Sequence, residues 1–185
     1  MIPDPTTTDE GVEIWGGRWA TRNVNTPGTF VDNPEDAGMF YQWGSNIGWS
    51  STDPLINSNG STTWSFLGAE GREWATENNP CPPGWRVPSQ AELQSLANAD
   101  HRWTTINGVT GRLFGIAPNT IFLPTAGLRD PFYQGELLRT QRGYYWSNIA
   151  LTVAPYLMTF SSVDNSVNIT TAGRNFGLSI RCVAE

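Results

Sequence analysis

Cys81-Pro82-Pro83-Gly84-Trp85-Arg86-Val87-Pro88-Ser89-Gln90-Ala91-Glu92-Leu93 is the stretch whose reading decides the fold. Ser89 and Glu92, three residues apart just after Pro88, form a capping-box pattern in which each side chain satisfies the other's backbone N–H. Leu93, Leu96 and Ala97 then recur at helical spacing, so a helix starts at Ser89. Cys81, which opens the stretch, has one possible partner in the chain, Cys182.

Upstream, Val12, Ile14 and Trp19 predict a strand with a turn at Gly16-Gly17, followed by a strand-like run from Trp19 to Val24. Residues 1–10, with Pro3, Pro5 and three successive Thr, read as an extended lead-in, and 11–185 as a single domain. Asp36 to Trp43 is expected to form a short helix. Residues 44–65 are rich in Ser, Asn, Gly and Thr and lack periodicity, which predicts a long loop pinned by Trp49 and Trp64. Downstream of the helix, strands are expected at 103–106, 112–116, 120–123, 143–147, 156–160 and 176–183. Helix early and hairpins late make the chain α+β.

The 185 residues suit one domain with a sizeable core, and no solenoid period or linker divides them. Nine Trp, five Tyr and eight Phe are too many aromatics for a disordered chain, while 19 Gly and 13 Pro imply many loops. All eleven basic residues are Arg, spread singly from Arg18 to Arg181 in a chain of net charge −6, so nucleic acid is not an expected partner. A solitary Arg is expected to stack on an aromatic ring or pair with a carboxylate. No apolar run reaches membrane-spanning length, and Met1 to Pro5 lacks the features of a signal peptide. A removed leader would place the chain outside the cell or on its surface; no leader would suit an intracellularly assembled virion. The Trp-rich, Lys-free context favours a Cys81–Cys182 disulfide over two buried thiols.

Groups for catalysis are sparse. His101 is the single histidine and lies in a polar stretch after the helix, where a solvated loop position is expected. Glu35/Asp36 and Glu70/Glu73 read as surface charge, against a paired-carboxylate glycosidase. No cofactor is expected, and no metal: one His and two distant Cys do not make a zinc site. Asp32, Asn33, Glu35 and Asp36 have the oxygen donors of a calcium loop but also the composition of an ordinary turn. Asn59-Gly60-Ser61 and Asn168-Ile169-Thr170 are formal glycosylation sequons.

The segment from Cys81 to Leu93 resembles the signature of the Fibrobacter succinogenes major paralogous domain. Arg18-Trp19-Ala20-Thr21-Arg22-Asn23-Val24, Met39-Phe40-Tyr41-Gln42-Trp43, Tyr145-Trp146-Ser147 and Ser179-Ile180-Arg181-Cys182-Val183 also look like that family's blocks. The resemblance covers the chain from Arg18 to Val183. It implies a C-type-lectin-like fold with short helices, long loops and small antiparallel sheets, and pairing of the two cysteines. The Glu-Pro-Asn and Trp-Asn-Asp motifs of calcium-dependent sugar binding are absent.

Such domains resemble the variable proteins of diversity-generating retroelements, whose diversified stretch is C-terminal. Here the apolar run 148–154 lies where a turn would be polar, as either a buried strand or an exposed contact loop. The resemblance implies a ligand-binding domain of a surface adhesin or phage receptor-binding protein, directed at a cell-surface protein or glycan. Specificity is expected within 148–175, carried by Asn148, Ile149, Leu151, Thr152, Leu157, Thr159, Asp164, Asn165, Asn168 and Arg174. In the run 156–160, alternation puts Met158 and Phe160 inward and Leu157 and Thr159 outward. Trp19, Trp43, Trp85, Trp103 and Trp146 are expected in the core. The alternatives are an oxidoreductase like the formylglycine-generating enzymes, which are similar in fold and would need both cysteines reduced, and a purely structural module.

Overall fold

A computed structural model describes residues 4–66 and 68–185. The chain opens with a hairpin of β1 (Val12–Ile14) and β2 (Gly17–Trp19), turned at Trp15-Gly16. β3 (Phe40–Tyr41) and β4 (Gly48–Trp49) form a short ladder, and β5 (Trp85–Arg86) precedes helix α1 (Gln90–Asn98). The Ser89/Glu92 capping box is formed on both sides, and Leu93, Leu96 and Ala97 are the buried face of α1. A meander follows: β6 (His101–Ile106), β7 (Val109–Ile116) and β8 (Asn119–Pro124). Then come β9 (Leu128–Asp130) with β10 (Glu136–Leu138), and a second meander of β11 (Arg142–Leu151), β12 (Ala154–Ser161) and β13 (Val167–Thr171). β14 (Val183–Ala184) returns between β2 and β5, giving the order β1-β2-β14-β5. Small antiparallel sheets with one α-helix make an α+β fold.

The β11-β12-β13 sheet is the centre of the molecule because β12 is covered on both faces. Tyr145, Met158 and Phe160 face α1 and pack with Leu93, Leu96 and Phe114. Trp146 and Leu157, register partners on the opposite face, pack with Trp43, Trp74, Leu178 and Ile180. Leu157 is therefore 2% exposed, and its expected outward position is corrected. Alternation assigned two faces rightly and solvent to one of them wrongly, because a strand buried on both faces has no polar side. Met158 and Phe160 are buried as expected. A third cluster, Phe40, Trp49 and Trp64, fills the 44–65 loop, with the two indoles 4.7 Å apart, so tryptophans do pin this loop.

Trp19, Trp43, Trp85 and Trp146 are core residues; Trp103 is half-buried, with the Arg112 guanidinium 5.3 Å from its ring. Cys81 and Cys182 are joined, with Cα atoms 6.2 Å apart and a sequence separation of 101. The expected helix at 36–43 is absent. Gly38 sits at φ 71, where a Cβ would lie 2.2 Å from Val24 O, and the Met39 and Tyr41 amides donate to Val24 O and Leu178 O rather than along a helix. The expected strand 176–183 is mostly a threaded segment held by single bridges, Gly177 to Arg129, Leu178 to Tyr41 and Ser179 to Tyr145. Of the expected lead-in, residues 1–3 lie outside the described residues. Residues 4–10 do not stand off: they turn at Pro5–Thr7, Thr6 O accepts from the Phe30 amide, and Arg22 bonds Pro5 O and Thr8 O.

Candidate functional site

The surface that gathers most of the expected contact residues is the β11–β12 hairpin tip. The register shifts between Trp146 and Ala150, and this bulge turns the Asn148 backbone outward to bond Pro88 O and the Trp74 amide, each at 2.8 Å. The Ala150 amide donates to Arg72 O at 2.9 Å, so segment 72–74 runs beside the end of β11. Beyond it Thr152 takes a left-handed conformation, φ 58, to close the two-residue turn between Leu151 and Ala154. Ile149, Leu151 and Val153 project from this tip at 37%, 51% and 76% exposure. The apolar run is thus a strand whose tip is exposed.

Arg174 fixes the tip to the neighbouring loop. Its Nε donates to Val153 O (2.8 Å), Nη1 to Ala69 O (2.7 Å), and Nη2 to Gly71 O (2.5 Å) and Thr152 O (3.2 Å). The guanidinium also stacks on Trp43, 4.5 Å from the ring centroid. The close approach needs a glycine at 68, since a Cβ there would lie 2.8 Å from Arg174 Cβ. Together these elements frame an open depression of about 600 Å3, walled by Phe66, Ala69, Arg72, Val153, Arg174 and Asn175. Gln42 holds its far side by donating to Ser65 O and Asn175 O. Next to Asn175, Phe176 meets the exposed Phe132 ring edge to face at 5.9 Å.

The expected site therefore divides. Ile149, Leu151, Thr152 and Arg174 come together, with Arg174 as the brace rather than a free contact. Asn148 lies half-buried beside them in a smaller depression with Trp74, Arg86 and Glu185. Asp164 and Asn165 are at the other end of the sheet, because β11 pairs Arg142 with Ser161 there and Leu151 with Ala154 at the tip. Asn165 Oδ1 accepts from Arg112 Nη1 at 2.6 Å, and Asp164 caps Ser166. Thr159 and Asn168 pair within the sheet; the Thr159 hydroxyl is buried and has no hydrogen-bond partner among the described residues. Leu157 is in the core. Phe66 and Val153 were not singled out. Val153 lay inside the apolar run, whereas nothing local to Phe66 signals that it meets a hairpin tip so distant in sequence.

Among the described residues no group of three His, Cys, Asp or Glu is placed to hold a metal. Asp32 to Asp36 form a turn in which Asp36 accepts from the Asn33 amide. His101 is not a loop residue: it opens β6, packs on Phe114 and sits 3.2 Å from Arg112 Nη1. Burial, helped by Arg112, lowers its pKa. As expected, Arg18, Arg22, Arg86 and Arg129 pair with carboxylates and Arg22, Arg112 and Arg174 lie over aromatic rings; buried Arg181 instead donates to Asn23 Oδ1, Ala20 O and Phe122 O. Desolvation pushes its pKa down to about 10. Compared with protein-family models, curated proteins and solved structures, the chain matches none of them.

Proposed function

We propose that this chain is a C-type-lectin-like binding domain of an extracytoplasmic adhesin or phage receptor-binding protein, and that its partner docks on the β11–β12 tip. The observation that carries the reading is the exposed aliphatic set Ile149, Leu151 and Val153, held against the 68–72 loop by Arg174. Exposed apolar groups on a braced loop lose little conformational entropy on contact, the condition for an anchor. The partner is a protein: the tip projects Ile149, Leu151 and Val153 with the exposed Phe66 ring in the adjoining wall, an apolar surface, and Trp43, Trp74 and Trp146 are buried and unable to stack on a sugar. The disulfide supports an oxidising compartment. It also counts against the formylglycine-type oxidoreductase, which needs both thiols.

The test is attachment of the purified domain to candidate host cells. Leu151→Ser with Val153→Ser is expected to abolish attachment while the thermal melt stays in place. Undiminished attachment by that variant would move docking off the tip, and no attachment by the unaltered domain would return the chain to a structural role. Sequencing of the locus from several isolates is expected to cluster substitutions at the exposed tip codons.

A further inference from the structure

The outer edge of β13 stands apart from the other outer edges of the three larger sheets. In the three larger sheets the outer strands are β1, β5, β6, β8, β11 and β13. Five of them carry a charge or proline that blunts pairing: Glu13, Arg86, Arg102, Pro124 and Arg142. Such residues are the usual guard against edge-to-edge association. β13 has none, and from Asn165 to Gly173 there is neither a charge nor a proline. Its Val, Ile and Thr residues favour extended backbone. Among the described residues, the backbone of 167–171 bonds only to β12, leaving its outward N–H and C=O groups open.

We propose that β13 pairs antiparallel with β13 of a second copy, extending the three-stranded sheet to six strands about a two-fold axis. The sequence matches itself when centred on Ile169: Val167 faces Thr171, Asn168 faces Thr170, and Ile169 faces Ile169. β-Branched side chains meet β-branched ones on the α1 face, and polar side chains meet polar ones on the other. No charge of either copy falls within the paired segment, so nothing in this register opposes like charges. A chain of net charge −6 repels its own kind, and the uncharged stretch 165–173 adds nothing to that repulsion. An axis normal to the sheet reverses the strand direction, so the two β11–β12 tips point to opposite ends of the dimer. The assembly would bridge two surfaces rather than grip one.

Sedimentation equilibrium of the whole chain over a range of concentrations tests this. The weight-average mass is expected to rise from 20.4 kDa toward twice that value, with amide exchange in 167–171 slowing in step. Asn168→Lys with Thr170→Lys changes two exposed side chains and brings like charges together across the axis, so it should raise the dimer dissociation constant about tenfold or more without moving the melt. Leu151→Ser with Val153→Ser should leave dimerisation unchanged, which separates this proposal from the docking one. A mass fixed at the monomer value, or a dimer that persists in the double-lysine variant, overturns it.

Discussion

The Arg174 guanidinium lies over the Trp43 ring, 4.5 Å from its centroid, while its nitrogens donate to four backbone carbonyls of two loops. The relationship repeats across the molecule. Arg129 donates to Ser50 O, Thr52 O and Gly135 O; Arg112 to Ser161 O; Arg181 to Ala20 O and Phe122 O. A loop-rich chain buries carbonyls that no ladder partner reaches, and a planar five-donor fork can serve several at once. An ammonium on a flexible stem cannot. This gives a physical sense to a chain with eleven Arg and no Lys.

Arg174→Lys is therefore expected to behave as a disruptive change. It keeps the charge and loses the fork, leaving carbonyls of 69, 71, 152 and 153 short of donors at a cost of about 1–3 kcal/mol. Amide exchange should accelerate in 68–72 and at the 151–154 turn ahead of the sheet. An exchange pattern and melting temperature equal to the wild type would show that the brace is dispensable.

Leu157 and Leu151, six positions apart, separate core from contact surface. Leu157→Ala leaves a cavity beside Trp146 and should cost about 2–5 kcal/mol. Leu151→Ser alters a half-exposed side chain and should shift stability by about 0.5 kcal/mol. Denaturant titrations of the two variants check this, and equal destabilisation would contradict the two-faced sheet.

Local chemistry was the legible part. Ser89 and Glu92 specify the start of α1 without help from the rest of the chain, and the strands expected at 103–106, 112–116 and 120–123 fall within the β6-β7-β8 meander, whose turns are Asn107-Gly108 and Ala117-Pro118. What was not legible depends on distant chain. Gly38 takes a left-handed turn and Met39 leaves the helical path because Val24 O lies against them, and Leu157 is buried because Trp43 and Leu178 cover the second sheet face. The unbroken apolar run from Pro155 to Met158 is the one local sign of that second layer. The site divided for a similar reason: a ten-residue strand carries its two ends apart, although Leu151 and Asp164 are near in sequence.

The Cys81–Cys182 bond closes a loop of 101 residues between β5 and β14, whose strands are themselves neighbours. The chain-entropy model gives such a closure on the order of 4–5 kcal/mol. Cys81→Ala with Cys182→Ala should lower the unfolding free energy read from a denaturant titration by about 2–5 kcal/mol while keeping the fold. Native mass spectrometry of the wild type should find no alkylatable thiol.

The last prediction concerns pH. Arg112 always donates, so a contact from its Nη1 to His101 Nδ1 at 3.2 Å requires that nitrogen to be the acceptor, with the ring proton on Nε2. Protonating His101 would turn the contact into repulsion beside a guanidinium that is 1% exposed, and burial together with Arg112 accordingly lowers the His101 pKa from 6.5. The unfolded chain then binds more protons than the folded one between the ordinary value and the lowered one. Stability is full above 6.5 and falls as pH drops from there to the folded pKa, below which this contribution levels off. Glu92 and Asp164, whose pKa values are also lowered, act at more acidic pH, so the window above about pH 5 belongs to the histidine. Because Arg112 also bonds Ser161 O and Asn165, the first amides to lose exchange protection should be those of 161–165. His101→Gln can offer Arg112 a neutral acceptor, and it should flatten the melting profile across that window. A wild-type melting temperature that is level from about pH 7 to about pH 5 would refute the coupling.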